Sequence, residues 1–445
     1  MLIEPPYFRL VGEVRFWVPI GLMNLAYYLN SAKIETRAYN ADATTSYLQE
    51  HTLSYSEKFY RLDQAGNFSS PAFDAVHKEF EELLKNETPK VVGISVKSDM
   101  VCSAIKMATM ARDILSDVKI VFGGTHFSAK QDTTLTSMAD AILIGEGETV
   151  IVEMIQELLK TKGRHPCRIW NSCNRSEYDV NDYVDIEFRY LVDFQQKAVS
   201  KLSKLMISSS RGCPYNCAFC FKSIKCNNRV RYVVGDKVAG FVKKAYHNYG
   251  IKKFYFVDDT FGISNKQLND FGIALDDLTQ VIRWSCMSHV NVLTKEKLEL
   301  LKSLGCSAIH LGVESGSQRI LNMLNKNVLI DDILRCSERI HSCGIELRAF
   351  VLFGIPGETS QDLQETKLLL HQIVPEEIAA QVYVPYDGTL LFNELKSKSF
   401  IADIDWAKFI KANLNYGIQK AQKNSNKDIK GFFDFVDNWN SIHNK

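Results

Sequence analysis

The stretch Arg211-Gly212-Cys213-Pro214-Tyr215-Asn216-Cys217-Ala218-Phe219-Cys220 decides how the rest of the chain is read. It puts three thiols on one short loop, spaced C-x3-C-x2-C, directly after the apolar run Leu205 to Ser209. Three soft ligands so spaced can wrap one face of a [4Fe–4S] cluster, each thiolate taking one iron and leaving the fourth iron without a protein ligand. Such an open iron is a place for a substrate or cofactor to bind. Two plainer readings compete: a zinc site, or a structural cluster closed by Cys226. A structural zinc site closes with four ligands, and Cys226 stands apart among Lys225, Asn227 and Asn228.

Working outward, the loop heads a run of β/α units. Strands are expected near Leu205 to Ser209, Lys253 to Val257, Ile282 to Ser288, Ser307 to Val313, Glu346 to Phe353 and Ala379 to Val384. Helices at about 235–249, 265–280, 295–304, 330–342 and 360–373 fill the gaps, and Gly250, Gly305 and Gly344 stand where helix C-caps belong. This alternation predicts a partial (β/α)6 barrel whose site lies at the carboxyl ends of its strands.

Upstream, a second alternation puts strands near Leu2 to Ile3, Ile34 to Tyr39, Val91 to Ser95, Lys119 to Phe122 and Ala141 to Ile144. It predicts a doubly wound parallel sheet of the Rossmann or flavodoxin-like kind. The strands run into Glu4-Pro5-Pro6, Asn40-Ala41-Asp42, Ser95-Val96-Lys97-Ser98, Gly123-Gly124-Thr125-His126 and Gly145-Glu146-Gly147-Glu148. Ligands of open α/β sheets lie beyond such ends, so these loops are expected to form one crevice, with residues 43–70 as a long loop or insertion over it. The α/β chain thus divides into a doubly wound domain at 1–163, an irregular linker at 164–200, the partial barrel at 201–385 and a small helical C-terminal cap at 386–445, rich in aromatics that include Trp406 and Phe409.

Composition sets bounds on function. With 445 residues, 46% of them hydrophobic, the chain can bury more than one core, which excludes a disordered chain and a disulfide-stapled miniprotein. Lys+Arg 53 against Asp+Glu 52 gives no basic excess for a polyanion surface, so no nucleic-acid partner is expected. Eleven cysteines, odd in number and scattered apart from the one loop, fit reduced thiols in the cytoplasm. Phe16 to Leu29 is apolar but too short to span a bilayer, and Pro19 and Gly21 mark the start of a buried helix, so no membrane role is expected.

The cysteine loop resembles that of the radical S-adenosylmethionine (radical SAM) superfamily, with Phe219 at its aromatic position. The resemblance continues through Phe256-Val257-Asp258-Asp259-Thr260-Phe261, Gly312-Val313-Glu314-Ser315-Gly316-Ser317 and Gly354-Ile355-Pro356-Gly357-Glu358-Thr359. It implies a [4Fe–4S] cluster on Cys213, Cys217 and Cys220, with SAM bound to the open iron and cleaved to a 5′-deoxyadenosyl radical. Phe219, Asp258, Asp259, His289, Glu314, Ser315, Gly354 and Gly357 are the candidate SAM contacts. Helix capping competes for either aspartate, and a structural role competes for His289. The short glycine-rich motif common at the second strand is absent, with Val257 to Thr260 in its place. Arg348 is placed on the fifth strand, facing either into the barrel or away from it.

The paired domains, and the late Val384-Pro385-Tyr386-Asp387-Gly388-Thr389-Leu390, resemble the cobalamin-binding subclass of that superfamily. There the corrin lies on the strand ends of the first domain, which makes Ser95, Gly123, Gly124, His126, Gly145 and Glu146 the candidate cobalamin contacts, with Ser98 as an alternative hydroxyl. The glycines have a plainer reading as shapers of tight turns. The Asp-x-His-x-x-Gly motif that supplies an axial histidine in many cobalamin proteins does not occur, so cobalamin is expected to be held without it.

The resemblance implies a cobalamin-dependent methyltransferase acting at an unactivated carbon of a small molecule or peptide, served by an external flavodoxin- or ferredoxin-type electron donor. Cyclisation, oxidation or rearrangement without methyl transfer is the second reading; a non-catalytic iron–sulfur or corrinoid sensor is the third. A methylthiotransferase is disfavoured, because the first domain has only Cys102 for an extra cluster and the C-terminal region shows no basic β-barrel pattern.

Overall fold

The computed structural model describes residues 1–7, 9–11, 16–43, 53–57, 71–128, 132–163, 165–173, 178–182, 187–221, 229–401, 404 and 426–443. The proposed loop at 43–70 lies largely outside these residues, as do Cys226, Trp406 and Phe409. The chain forms two compact units: Met1–Leu53, Glu57–Leu202 and Ile404–Tyr416 in the first, and Ser54–Ser56, Ser203–Asp403 and Gly417–Lys445 in the second.

The first unit is built on six parallel strands, β1 (Leu2–Glu4), β2 (Ala38–Asn40), β3 (Val91–Ser95), β4 (Lys119–Gly123), β5 (Ala141–Ile144) and β6 (Arg168–Asn171), in the order β2-β1-β3-β4-β5-β6. In β1 to β5 the central residues are apolar and buried on both faces, as a sheet covered by helices on both sides requires. The chain leaves β1 in one direction and returns at β3 in the other, so the topological switch lies between these two strands. The helix Ile20–Ser31 starts directly after Pro19, whose fixed φ suits a helix entrance.

Two expectations need correction here. Residues 164–200 are not wholly irregular: they open with β6, which pairs with β5 from Arg168 to Asn171, and continue into the helix Asp193–Ala198. As the sheet's edge strand, β6 buries only Trp170, so it lacks the apolar run that marks a central strand. The strand expected at Ile34 starts only at Ala38.

In the second unit β7 (Leu205–Ile207) leads into a small antiparallel pair, β8 (Ser210–Arg211) and β9 (Arg231–Tyr232). Then come β10 (Lys253–Phe256), β11 (Arg283–Ser288), β12 (Cys306–Glu314), β13 (Glu346–Phe353) and β14 (Glu377–Val382). The main sheet runs β7-β10-β11-β12-β13-β14, parallel throughout and in sequence order, a curled half-barrel. Helices Gly235–Tyr249, Ile330–Ser342 and Ser360–Ile373 lie where the periodicity puts them. The first ends on Gly250 at φ 69°, and the third starts with a Thr359–Asp362 capping box.

Strand alternation splits the side chains of this sheet into two sets. Phe254, Phe256 and Trp284 are buried on the helix side, where Phe256 and Trp284 meet edge to face at 5.2 Å and Phe271 of the helix Asn265–Leu275 joins them. Burying each such aromatic contributes about 2 kcal/mol. Tyr255, His310 and Phe350 form the other set, with ring centroids 4.9 and 5.4 Å apart in succession. At the edge, the helix Asn426–His443 lies along β14, where Asn440 accepts from the Ile378 amide at 2.8 Å and donates to its carbonyl at 2.9 Å. Backbone groups of the open edge are thereby satisfied.

Candidate functional site

The cysteine loop leaves β8 through Gly212, at φ 100°, where an added Cβ would stand 2.1 Å from the Arg229 carbonyl oxygen. Only glycine fits there. Beyond it the loop is held on several sides. Cys213 Sγ lies 3.2 Å from Thr260 Oγ1 at the end of β10. Tyr215 stacks on His289, just past β11, at 3.7 Å. The Ala218 amide donates to the Leu324 carbonyl at 2.8 Å, and the Ala218 carbonyl accepts from the Leu391 amide at 2.8 Å. Phe219 packs against a core that includes Leu352, Ile355, Tyr383 and Phe392.

Within this frame the Cys220 amide donates to the Cys217 carbonyl at 3.1 Å. Cys217 is buried, and that burial pushes its thiol up to about 11, with Lys326 pulling the other way and Cys220 and Cys213 near enough to add to the rise. Among the described residues no group of three His, Cys, Asp or Glu converges on a single metal ion. Three thiols on one glycine-entered loop fit the separate corner irons of a cubane, one thiolate to each. Coordination would deprotonate the thiols outright. The ten described cysteines are all free thiols.

The other expected SAM contacts separate into two groups. Asp258 is fully buried and takes hydrogen bonds from the Ser209 amide, the Ser209 hydroxyl and the Ser210 hydroxyl, which ties β10 to the strand that launches the cysteine loop. Burial raises its carboxyl above the usual range. Ser315 is buried too, its hydroxyl shared with Thr366 and with the Ser317 amide. Both are braces. His289 is buried, accepts from the Asn291 amide at Nδ1, and is driven down to about 3 by burial and then by Lys326, so the ring is neutral. Asp259 and Glu314 remain half-buried at the carboxyl ends of their strands. Gly354 at φ 70° donates its amide to the buried Glu358, and Gly357 at φ 92° has open space where its Cβ would be.

Sequence reading passed over Thr260, Tyr215, Asn325 and Lys326. Lys326 is buried and pairs with Glu314 at 2.8 Å. The one local signal was Asn-Lys-Asn at 325–327, since asparagine tolerates left-handed backbone, and both asparagines have it (φ 50° and 53°).

In the first unit, Glu4, Asp42, Ser95, the Gly123–Gly124 turn and the Gly145–Glu146 turn follow their strands at one end of the sheet. The loops flanking the switch point are bridged by Lys97 and Glu4 at 2.7 Å. Asp42 is fully buried; Oδ1 accepts from the amides of Tyr7 and Arg9, and Oδ2 has no partner among the described residues. Burial pushes this carboxyl up to about 7. An orphaned acceptor at a strand end suits a ligand rich in amide donors, as the side chains of a corrin are.

Gly124 follows the plainer reading: at φ 103°, its Cβ would stand 2.6 Å from the Val96 carbonyl oxygen. Gly145 does the same against Ser172, at 2.3 Å. Gly123 has no such constraint. His126 spends both ring nitrogens inside the protein, Nδ1 at 3.0 Å from Ser98 Oγ and Nε2 at 3.2 Å from Asp132 Oδ2. It holds Ser98 in place and has no free nitrogen for a metal.

Comparison with known proteins agrees with this division. Residues 207–370 match the model of the radical SAM superfamily, and residues 14–155 match that of the B12 binding domain. An uncharacterised methyltransferase of Pyrococcus horikoshii is 25% identical over 349 residues, 76% of each chain. An anaerobic magnesium-protoporphyrin IX monomethyl ester cyclase of Rubrivivax gelatinosus is 24% identical over 78% of this chain and 67% of its own. The fold is shared with the radical SAM methyltransferase TsrM from Kitasatospora setae, solved with cobalamin and a [4Fe–4S] cluster. That comparison gives a TM-score of 0.65 at 16% identity, over 89% of this chain and 77% of that one.

Proposed function

The chain is a radical SAM enzyme that carries a B12-binding domain, and from that premise we propose that it methylates an unactivated carbon of a small molecule or peptide. One observation carries the reading: a three-thiol loop seated at the carboxyl ends of a parallel half-barrel, in one chain with a B12-binding sheet. When bound, the cluster and SAM supply the 5′-deoxyadenosyl radical that abstracts hydrogen, and cobalamin supplies the methyl group.

The residues do the positioning. Cys213, Cys217 and Cys220 hold the cluster. Thr260, Tyr215 and the backbone partners of Ala218 fix the loop, while Asp258 fixes the strand end from which it springs. Asp259, Glu314, Gly354 and Gly357 are the strand-end groups we assign to SAM. Asp42, Ser95, Ser98 and Glu146 are the polar groups offered to cobalamin, with Gly123 giving a close approach. A flavodoxin- or ferredoxin-type protein serves as electron donor. No helix among the described residues is long and apolar enough to cross a membrane, and we place the enzyme in the cytoplasm, where free thiols persist.

The similarity to the cyclase of Rubrivivax gelatinosus supports a second reading, oxidation or cyclisation without methyl transfer. Anaerobic incubation with SAM carrying a labelled methyl group separates the two. Methyl transfer gives 5′-deoxyadenosine, S-adenosylhomocysteine and labelled product; cyclisation leaves the product unlabelled. Retention of SAM cleavage by Cys217→Ala would sink the cluster assignment.

A further inference from the structure

Twelve residues beyond Glu314, a tight turn reaches back to the cysteine loop. The Leu324 carbonyl accepts from the Ala218 amide at 2.8 Å, and Asn325 Nδ2 donates to the Asn216 carbonyl at 2.7 Å. These bonds fall on the residues immediately before and after Cys217. Left-handed backbone at Asn325 and Asn327 brackets Lys326, which is buried with its ammonium 2.8 Å from Glu314 Oε1.

Space for that pair is built into β12. An added Cβ on Gly312 would stand 2.6 Å from Lys326 Nζ and 2.6 Å from Glu314 Oε1. Glu314 itself sits at φ 63°, where the register between β12 and β13 shifts. Left-handed backbone on a glutamate and a desolvated ammonium both cost stability, so a buried pair of this kind is weak evidence of a stabilising role. Its surroundings point to another role. Burial and Glu314 act on Lys326 first, and the thiols of Cys217 and Cys213 also act on it.

We propose that Lys326 is a positioning residue for the cluster: the turn that clasps the cysteine loop also fixes a buried positive charge beside it, and that charge makes the cluster easier to reduce. One-electron reduction adds a negative charge to the cluster, which the ammonium favours and the Glu314 carboxylate opposes. The inference rests on the radical SAM reading but not on methyl transfer.

The test is a potentiometric titration, followed by electron paramagnetic resonance, of the full chain reconstituted with iron and sulfide in the absence of SAM. In Lys326→Met the ratio of reduced to oxidised cluster at a fixed potential should fall about tenfold, a displacement of about 59 mV for a one-electron couple. Lys326→Arg should restore the ratio, and Glu314→Gln should move it in the opposite direction. A purely structural pair would not give opposite signs for its two members. Equal potentials in all variants, or displacement of Lys326→Met and Glu314→Gln in the same direction, would overturn the proposal. Should Lys326→Met fail to hold iron, the direction of Glu314→Gln decides. A wild-type protein without a four-iron signal would defeat the radical SAM reading itself, which separates the two failures.

Discussion

Cys213 Sγ and Thr260 Oγ1 lie 3.2 Å apart, although 47 residues separate them in the chain. Thr260 Oγ1 also lies 2.8 Å from the Asp259 carbonyl oxygen, and its single proton serves the Cys213 sulfur once that thiol is deprotonated, so the hydroxyl links the first thiol of the loop to the segment that follows β10. Groups that hydrogen-bond a metal ligand set its orientation and electron density, and losing them costs about 10- to 100-fold in affinity or activity. Thr260→Val keeps the shape and removes the hydroxyl. We expect iron content to be retained and 5′-deoxyadenosine formation to fall at least about tenfold, measured by single-turnover assay with excess dithionite.

Gly212→Ala tests the entrance of the loop. The left-handed conformation alone costs a side chain about 1–2 kcal/mol, and the new Cβ would overlap the Arg229 carbonyl. The expected outcome is a soluble protein whose iron content after reconstitution drops by about half or more, read by metal analysis.

His126 is expected not to ligate cobalt, because Ser98 and Asp132 occupy both of its ring nitrogens. The cob(II)alamin form of the wild-type complex should show no nitrogen splitting in its electron paramagnetic resonance spectrum, and His126→Gln should leave that spectrum unchanged. A splitting lost in the variant would refute this.

Acid stability should depend on His310. Its Nε2 is buried without a hydrogen-bond partner among the described residues, and burial, with smaller contributions from Arg348 and Lys204, lowers it from the usual 6.5 to about 3. The unfolded chain therefore binds the proton first, and stability present above pH 6.5 is lost as pH falls toward 3, with a slope of about 1.4 kcal/mol per pH unit. His310→Phe, set between Tyr255 and Phe350, should flatten that loss without destabilising the protein at pH 7.5, as followed by urea denaturation from pH 4.5 to 7.5.

Glu358 gives the opposite sign. Burial pushes its carboxyl up to about 8, so the folded state holds a proton that the unfolded state releases above about pH 4.5. Stability from this group falls as pH rises from 4.5 to 8, and Glu358→Gln should remove that slope in thermal melts.

Much of this protein was fixed by local sequence. Central strands such as Val91–Ser95 and Glu346–Phe353, and helices such as Ile330–Ser342, are legible because period-2 and period-3.6 patterns report burial directly. The three-thiol loop is legible because its cysteines are neighbours along the chain. Chain folding decided the rest. Whether Asp258 and Ser315 face a ligand or brace the frame depends on partners 49 and 51 residues away, and both turn inward. Asn325 meets the cysteine loop across 109 residues, and no periodicity encodes that contact. Sequence by itself set the elements and the three-thiol loop, because those depend on neighbours along the chain. Only the tertiary structure selected Lys326, Thr260 and Asp42, because a buried charge, a shared proton and an orphaned oxygen are properties of what surrounds a side chain in space.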